Sequence, residues 1–260
     1  MSYTARIRCW EDTEKRSELM SKPETSVKIV YKNEIFNKRY SQSNVRFFDM
    51  DTIDCAIKCK ELNPLILNLS DDDYAGGYVS SGSGAQEESL FRRTNYCQSL
   101  LQHFYPILNN EAVYSPNISV IKSSELTKWT SIPENEVPQL CFVACPALKY
   151  PETIIKKKEV KLLPEDVETL KNKIRLIIQI AIEKKHETII FGAMGCGAWR
   201  NPVKHVAEIF KSVLNECDGV ILDYYFAIMT TQDDTYQFRK RDRPSVEIFA
   251  DVFRLPISSI

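Results

Sequence analysis

The chain has 260 residues, 43% of them hydrophobic, and a formal net charge of −1, which is enough for one large domain or two small ones. The balanced charge excludes a protein that binds nucleic acid non-specifically, because such proteins carry a clear basic excess. No apolar run is long enough to span a membrane, and the first ten residues lack the apolar core of a secretory signal. We therefore expect an intracellular protein, cytoplasmic or nuclear, that is not secreted.

The N-terminal residues 1–44 are polar and charged with few apolar anchors, and they predict a helical accessory segment. From residue 45 to residue 260 strand patterns alternate with helical patterns. The predicted strands are 45–48, 65–69, 112–114, 118–121, 140–145, 188–191 and 224–229, and the predicted helices are 51–62, 86–101, 164–184 and 203–214. This alternation predicts an α/β fold with a mostly parallel, mixed sheet flanked by helices. Ligands of such folds bind at the carboxyl ends of the strands.

Cysteine and histidine spacing predicts no metal site. The eight cysteines are scattered without a Cys-x-x-Cys pair, and only three histidines are present, whereas zinc sites need closely paired ligands. We expect the thiols to be reduced and mostly apolar filler.

A glycine-rich segment that ends in two carboxylates is the most informative stretch of the chain. Four of the eight glycines lie within residues 76–84, where they allow positive φ and a close approach of backbone N–H groups to phosphate or sugar oxygens. Glu87 and Glu88 follow in the first turn of a predicted helix, where the helix dipole favours negative charge. Carboxyl groups beside such a loop can donate and accept protons, which indicates acid–base chemistry.

A second glycine-rich loop covers residues 191–202, between a predicted strand and a predicted helix. Backbone amides at this place can hold a diphosphate. A tight strand-to-helix turn is the alternative.

The first loop resembles the motif of poly(ADP-ribose) glycohydrolases, most closely the microbial type, in which three glycines precede Gln-Glu-Glu by six to eight residues. Gln86, Glu87 and Glu88 keep the second part of the motif. The glycine triplet is altered in either of two registers. It is Gly76-Gly77-Tyr78 with a spacer of seven residues, or Ala75-Gly76-Gly77 with a spacer of eight.

The second loop is similar to the diphosphate loop of the same family. Met194 stands in place of a tryptophan, and Trp199 replaces a phenylalanine that in the family packs beside the diphosphate and ribose. Asn68 and Asp71 also fall at positions where larger glycohydrolases have a supporting Asp and a ribose-contacting Asn. The ligand-binding residues that the resemblance implies are Asn68, Asp71, Gly76, Gly77, Tyr78, Gln86, Gly192, Gly195, Cys196, Gly197, Ala198 and Trp199.

The resemblance implies a macrodomain fold and hydrolysis of ribose–ribose bonds in poly(ADP-ribose), with no metal and no cofactor. It implies that Glu88 is the catalytic acid and base and that Glu87 positions the ribose hydroxyls. The partners would be ADP-ribose or poly(ADP-ribose) on modified proteins, and nucleic acid only where it is itself ADP-ribosylated. Because the triplet is altered, the first alternative is an ADP-ribose-binding macrodomain with weak or no catalysis. A second alternative is a hydrolase of another ADP-ribosyl linkage, to protein or nucleic acid.

Three charged stretches have simpler interpretations. Arg92 and Arg93 are predicted to lie on a solvated helix face or to pair with the acidic loop. The runs 71–73 (three aspartates) and 156–158 (three lysines) are predicted to be solvated loops.

Overall fold

The computed structural model describes residues 1–230 and 243–259. The chain forms two compact units, the first from Met1–Val30 with Leu65–Pro146 and the second from Tyr31–Pro64 with Ala147–Ile260. The proposed division of the chain at residue 44 stays a prediction. No helix of the described residues is long and apolar enough to cross a membrane.

The secondary structure is mixed α/β, as predicted. The helices are α1 (Tyr3–Leu19), α2 (Thr52–Lys58), α3 (Gln86–Arg93), α4 (Pro164–Glu183), α5 (Val203–Glu216) and α6 (Ser245–Phe253). The strands are β1 (Val27–Val30), β2 (Asn44–Phe48), β3 (Pro64–Asn68), β4 (Glu111–Ser119), β5 (Gln139–Ala144), β6 (Thr153–Lys156), β7 (Glu159–Leu162), β8 (Thr188–Phe191) and β9 (Asp223–Ala227).

The first unit contains strands in the order β1-β4-β5-β3. Its β3 and β5 are parallel, whereas β4 runs antiparallel to both β1 and β5. All five residues of β3 are buried, which agrees with the apolar run 65–67 in the sequence. The two short strands predicted at 112–114 and 118–121 are one strand, β4, whose register shifts between Ser115 and Ile118. Asn117 has a positive φ of 53° in this irregularity, which accommodates the preceding proline within one strand.

The N-terminal segment is helical, as expected, but it also supplies a strand that the sequence did not reveal. Strand β1 pairs with β4 from Val27 to Val30. Helix α3 is shorter than the predicted 86–101 and ends at Arg93. The hydroxyl of Thr94 donates to the Leu90 carbonyl at 2.7 Å, and Thr94 then adopts an extended conformation and pairs with Val120. A side chain that engages the backbone in this way competes with continuation of the helix.

The second unit contains three parallel strands in the order β8-β9-β2. The predicted helix cap at Asp51 is confirmed, since its carboxylate accepts from the N–H groups of Ile53 and Asp54 at 2.8 and 3.2 Å. Helix α2 ends at Lys58 and is followed by a separate helical turn over Lys60–Leu62, so the prediction of one helix over 51–62 was too long. The hairpin β6–β7 and helix α6 were not predicted.

Candidate active site

Gln86 fixes the start of α3 at the end of β3. Its Oε1 accepts from the Leu69 N–H at 2.8 Å, and its Nε2 donates to the Leu67 carbonyl at 2.8 Å. The side-chain amide thus pairs with the backbone as a neighbouring strand would. The two following glutamates are consequently held at the carboxyl end of a buried strand. The predicted contact of Gln86 with a ligand stays a prediction.

Glu87 is buried and held by several donors of the first unit. Its Oε2 accepts from the Asp71 N–H at 2.6 Å, and its Oε1 faces Asn68 Nδ2 at 3.2 Å and the Gly76 N–H at 3.3 Å. The hydroxyl of Tyr105, which the sequence did not single out, lies 3.4 Å from the same oxygen. Burial raises the pKa of Glu87 to about 8, while the hydrogen bonds from Asp71 and Asn68 act in the opposite direction.

Glu88 has a different environment, although it is the next residue. Its Oε1 accepts from the Tyr78 N–H at 3.1 Å. Its Oε2 is buried and has no hydrogen-bond partner among the residues that the structure describes. A buried polar atom without a partner is costly and calls for an explanation, and a substrate atom would supply that partner.

The loop geometry requires glycine at two positions. Gly76 and Gly77 have positive φ values of 76° and 55°. A Cβ on Gly76 would lie 2.6 Å from the Phe91 ring, and one on Gly77 would lie 2.8 Å from Glu88 Oε1. Tyr78 has a φ of −106°, which any L residue can adopt, and its side chain is more than half exposed. The altered triplet therefore keeps the glycines that the backbone needs at 76 and 77. Both alignments of the chain with the family's glycine triplet, 75–77 and 76–78, are compatible with this backbone.

The prediction that residues 71–73 are a solvated loop is wrong for Asp71, which is buried. Its Oδ1 accepts from the N–H groups of Asp73 and Tyr74 at 2.9 and 3.0 Å, so the carboxylate closes a local turn. Carboxylate oxygens of Asp71, Asp72 and Asp73 lie within 4.8 Å of one another. Exposed acidic groups are often this close without a metal, and the absence of a metal from the reaction stays a prediction.

The interpretation of Arg92 and Arg93 as part of a solvated helix face is also wrong, while their pairing with the acidic loop stays a prediction. Both side chains are 1% exposed. Arg92 Nη1 donates to the Ser83 carbonyl at 2.8 Å, and Arg93 Nε donates to the Lys122 carbonyl at 3.3 Å. Helix α1 covers this part of α3, since the Thr13 hydroxyl donates to the Arg92 carbonyl at 2.6 Å. Arg92 therefore ties the glycine loop to α3 at Ser83, and Arg93 ties α3 to the backbone at Lys122.

Helix α1 also supports the glycine loop directly, which the sequence did not reveal. A Cβ on Gly82 would lie 2.7 Å from the Tyr3 carbonyl oxygen, and one on Gly84 would meet the guanidinium of Arg6. Arg6 in turn donates through Nε and Nη2 to both carboxylate oxygens of Glu125, at 3.2 and 3.1 Å. The two later glycines thus allow close packing against α1.

The second loop, in the second unit, follows β8 and leads into α5. Gly195 has a positive φ of 71°, and a Cβ there would lie 2.5 Å from Asn201 Nδ2. The same Nδ2 donates to the carbonyls of Leu148 and Gly195 at 2.7 and 3.1 Å, so Asn201 shapes the loop. By contrast, no atom lies within 4 Å of a Cβ on Gly197, and space remains where the resemblance expects a ligand.

The other predicted residues of this loop differ in exposure. Gly192 and Cys196 are buried, and Ala198 is exposed. The Cys196 thiol points to the Met194 carbonyl at 3.6 Å, which is consistent with a small buried filler. Trp199 is half-buried, with Lys149 Nζ 5.8 Å from the ring centroid, so it offers an aromatic wall beside a cation.

Residues 6–123 match the family model described as the microbial-type PARG (poly(ADP-ribose) glycohydrolase) catalytic domain. This match covers both glutamates and the first glycine loop, and it confirms the resemblance inferred from the sequence. No curated protein matches the chain.

Solved structures of bacterial glycohydrolases share the fold. The enzyme from Thermomonospora curvata is 18% identical with a TM-score of 0.76, over 96% of this chain and 100% of that one. The same enzyme bound to the inhibitor ADP-HPD gives a TM-score of 0.75 at 18% identity, over 95% and 99% of the two chains. The Deinococcus radiodurans enzyme in complex with ADP-ribose gives 0.68 at 19% identity, over 95% and 92%. The predicted macrodomain-like α/β fold is therefore confirmed.

Proposed function

Because residues 6–123 match the family model of the microbial-type PARG catalytic domain, we propose that this protein hydrolyses ribose–ribose O-glycosidic bonds of poly(ADP-ribose) and releases ADP-ribose. The observation that carries the proposal is the contrast between the two adjacent glutamates. Every oxygen of Glu87 accepts a hydrogen bond from the protein, whereas Glu88 Oε2 is buried without a partner among the described residues. Glu88 therefore has the carboxyl oxygen that is available to the scissile bond.

In the proposed reaction, the Glu88 carboxyl gives its proton to the departing ribose oxygen as the bond from that oxygen to the anomeric carbon breaks. The anomeric carbon gains oxocarbenium character, which negative charge nearby stabilises. A water molecule then adds to the anomeric carbon, and Glu88 takes the proton that this water loses. Glu87, fixed by Asp71 and Asn68, positions the ribose hydroxyls.

Burial raises the pKa of Glu87 to about 8, so Glu87 is the competing candidate for the group that gives the proton. The roles of the two carboxyls can be separated with isosteric glutamine variants. Poly(ADP-ribosyl)ated protein is incubated with wild type, Glu88→Gln or Glu87→Gln, and released ADP-ribose is measured by chromatography. We expect Glu88→Gln to lose at least about 10²-fold in turnover with little change in ADP-ribose affinity. Full turnover in Glu88→Gln together with loss in Glu87→Gln would reverse the assignment.

The same experiment tests the other functions that the sequence left open. Binding of ADP-ribose without release would indicate a macrodomain that only binds its ligand. Release from singly modified proteins but not from polymer would indicate another ADP-ribosyl linkage. We further propose that the substrate is attached to modified proteins inside the cell, in the cytoplasm or nucleus.

A further inference from the structure

A small hairpin of the second unit carries three lysines at its tip. Strands β6 and β7 pair with Lys156 opposite Glu159, which leaves Lys157 and Lys158 as a two-residue turn. All three lysines are exposed. Glu159 pairs instead with Lys161 at 3.0 Å and with Lys204. Within the described part of the chain, the three tip lysines therefore have no carboxylate that neutralises them.

The conformation of the turn makes these lysines unexpected. Lys157 and Lys158 have φ values of 52° and 66°, so the hairpin has the turn type in which both central residues are left-handed. Asn-Gly is the preferred pair in this turn, because left-handed backbone is unfavourable for residues with longer side chains. Stability of the turn does not explain two lysines here. Residues in such conformations commonly occur where a functional requirement outweighs local stability.

The base of the hairpin is fixed to the helix that follows the second glycine loop. The Leu162 N–H donates to His205 Nδ1 at 2.8 Å, and Lys161 pairs with Glu208. His205 lies in the first turn of α5, which begins directly after that loop. The turn is four residues before Leu162, roughly 13 Å away along an extended strand. The tip lysines therefore lie no more than roughly 13 Å from a residue that is attached to the helix following the second glycine loop.

The strands of the hairpin also expose apolar side chains beside the charges. All four residues of β6 are exposed, and Ile155 and Val160 are 81% and 50% exposed. A surface that combines cations with apolar side chains fits a polymer in which phosphates alternate with bases. Lysines contact the phosphates of such polymers, and the exposed Ile155 and Val160 offer apolar area against which the bases can pack.

We propose that the tip of hairpin β6–β7 binds diphosphates of ADP-ribose units other than the one being cleaved, and so holds the polymer on the protein. This inference rests on the proposed function, because it takes the second glycine loop as a binding site for ADP-ribose. Charge complementarity favours an anionic chain as the occupant. A single-stranded nucleic acid is the competing anionic chain, and the experiment separates the two.

The test uses the full chain with Glu88→Gln, so that polymer is bound without being cleaved. The informative variant is Lys157→Asn with Lys158→Gly, which removes two charges and installs the preferred turn. We expect its Tm to rise while its affinity for an ADP-ribose oligomer of defined length falls. The slope of log affinity against log salt should fall in magnitude by about 1.4, at about 0.7 for each lost phosphate contact. The affinity of the Asn-Gly variant for single ADP-ribose should equal that of the parent. A variant with Lys157→Arg and Lys158→Arg keeps both charges and should bind the oligomer as the parent does.

Lys185→Gly is the matched control. Lys185 is also exposed and has a positive φ of 62°, but it precedes β8, at the end of that strand opposite the glycine loop. We expect this variant to bind the oligomer as the parent does. An unchanged oligomer affinity and salt slope in the Asn-Gly variant would overturn the proposal. The proposal would also be overturned if the Asn-Gly variant lost affinity for single-stranded DNA of equal phosphate number but kept its affinity for the ADP-ribose oligomer. Failure of the parent to bind single ADP-ribose would instead refute the proposed function, and with it the site on which the inference rests.

Discussion

Replacing Gly77 with alanine is expected to lower the rate of turnover strongly while it lowers the free energy of unfolding only slightly. An alanine Cβ would lie 2.8 Å from Glu88 Oε1 and 3.2 Å from Glu87 Oε2, where ordinary contacts begin at 3.4 Å. The Glu88 carboxyl must therefore retreat by about 0.6 Å. A misplacement of about 1 Å can cost roughly 10²-fold in rate. We expect turnover to fall roughly tenfold to a hundredfold.

The effect on stability should be small by comparison. Alanine at the φ of 55° that Gly77 adopts costs about 1–2 kcal/mol. The smaller conformational freedom of the unfolded chain returns about 0.4–1 kcal/mol of this. A net loss of about 1 kcal/mol corresponds to a Tm lower by about 2–4 °C in a domain of this size. The variant should thus be folded at the temperature of the assay.

The assay is the initial rate of ADP-ribose release from poly(ADP-ribosyl)ated protein, with thermal unfolding measured on the same samples. Gly219→Ala is the control for destabilisation alone. Gly219 also has a positive φ, of 76°, and the atoms nearest to a Cβ there belong to Lys38 and Tyr40. Gly219→Ala should lower the Tm without lowering the rate of the folded protein. A folded Gly77→Ala protein with wild-type turnover would refute the argument that this glycine makes room for the carboxylates.

Three further predictions concern single residues. Burial raises the pKa of Glu87 from 4.5 to about 8. Its protonated form therefore stabilises the fold fully below a pH of about 4.5, and this stabilisation is lost as the pH rises through about 8. The free energy of unfolding of wild type should decline over this pH range, and that of Glu87→Gln should not show this decline. Gly197→Val should leave Tm unchanged, since no atom lies within 4 Å of its Cβ, but should abolish ADP-ribose binding in calorimetry. Trp199→Phe should keep wild-type turnover, whereas Trp199→Ala should lower it; equal rates for all three proteins would show that the ring does not wall the site.

Elements defined by local patterns could be predicted from the sequence. Strands β3 and β8 contain the apolar runs 65–67 and 189–191, and helix α4 has apolar residues at helical spacing. The predicted bounds of each agree with the structure to within a residue or two. Asp51 is a local cap signal, and the structure confirms it. Local patterns suffice in these cases because the interactions that form the element lie within a few residues of one another.

Features that depend on distant residues could not be predicted in this way. Arg92 looks like a surface residue in sequence, yet it is buried because α1 covers it and the Ser83 carbonyl accepts from its guanidinium. The pairing of β1 with β4 joins residues more than eighty positions apart. The Tyr105 hydroxyl lies beside the Glu87 carboxyl, eighteen positions away in the sequence, and no local pattern indicates this contact. The turn of hairpin β6–β7 consists of two lysines and lacks the Asn-Gly pair by which such a turn is usually recognised in a sequence.

The geometry of a helix explains why adjacent glutamates can take different roles. Successive residues of an α-helix are about 100° apart around its axis, so Glu87 and Glu88 cannot share one environment. Glu87 faces the end of β3, where Asn68 and the Asp71 N–H hold both of its oxygens. Glu88 faces the glycine loop, where the Tyr78 N–H holds one oxygen and leaves the other without a partner among the described residues. Two carboxyls at successive positions can therefore differ, one with both oxygens hydrogen-bonded by the protein and one with an oxygen left for another partner. A pair spaced by one turn would face the same side and compete for the same donors.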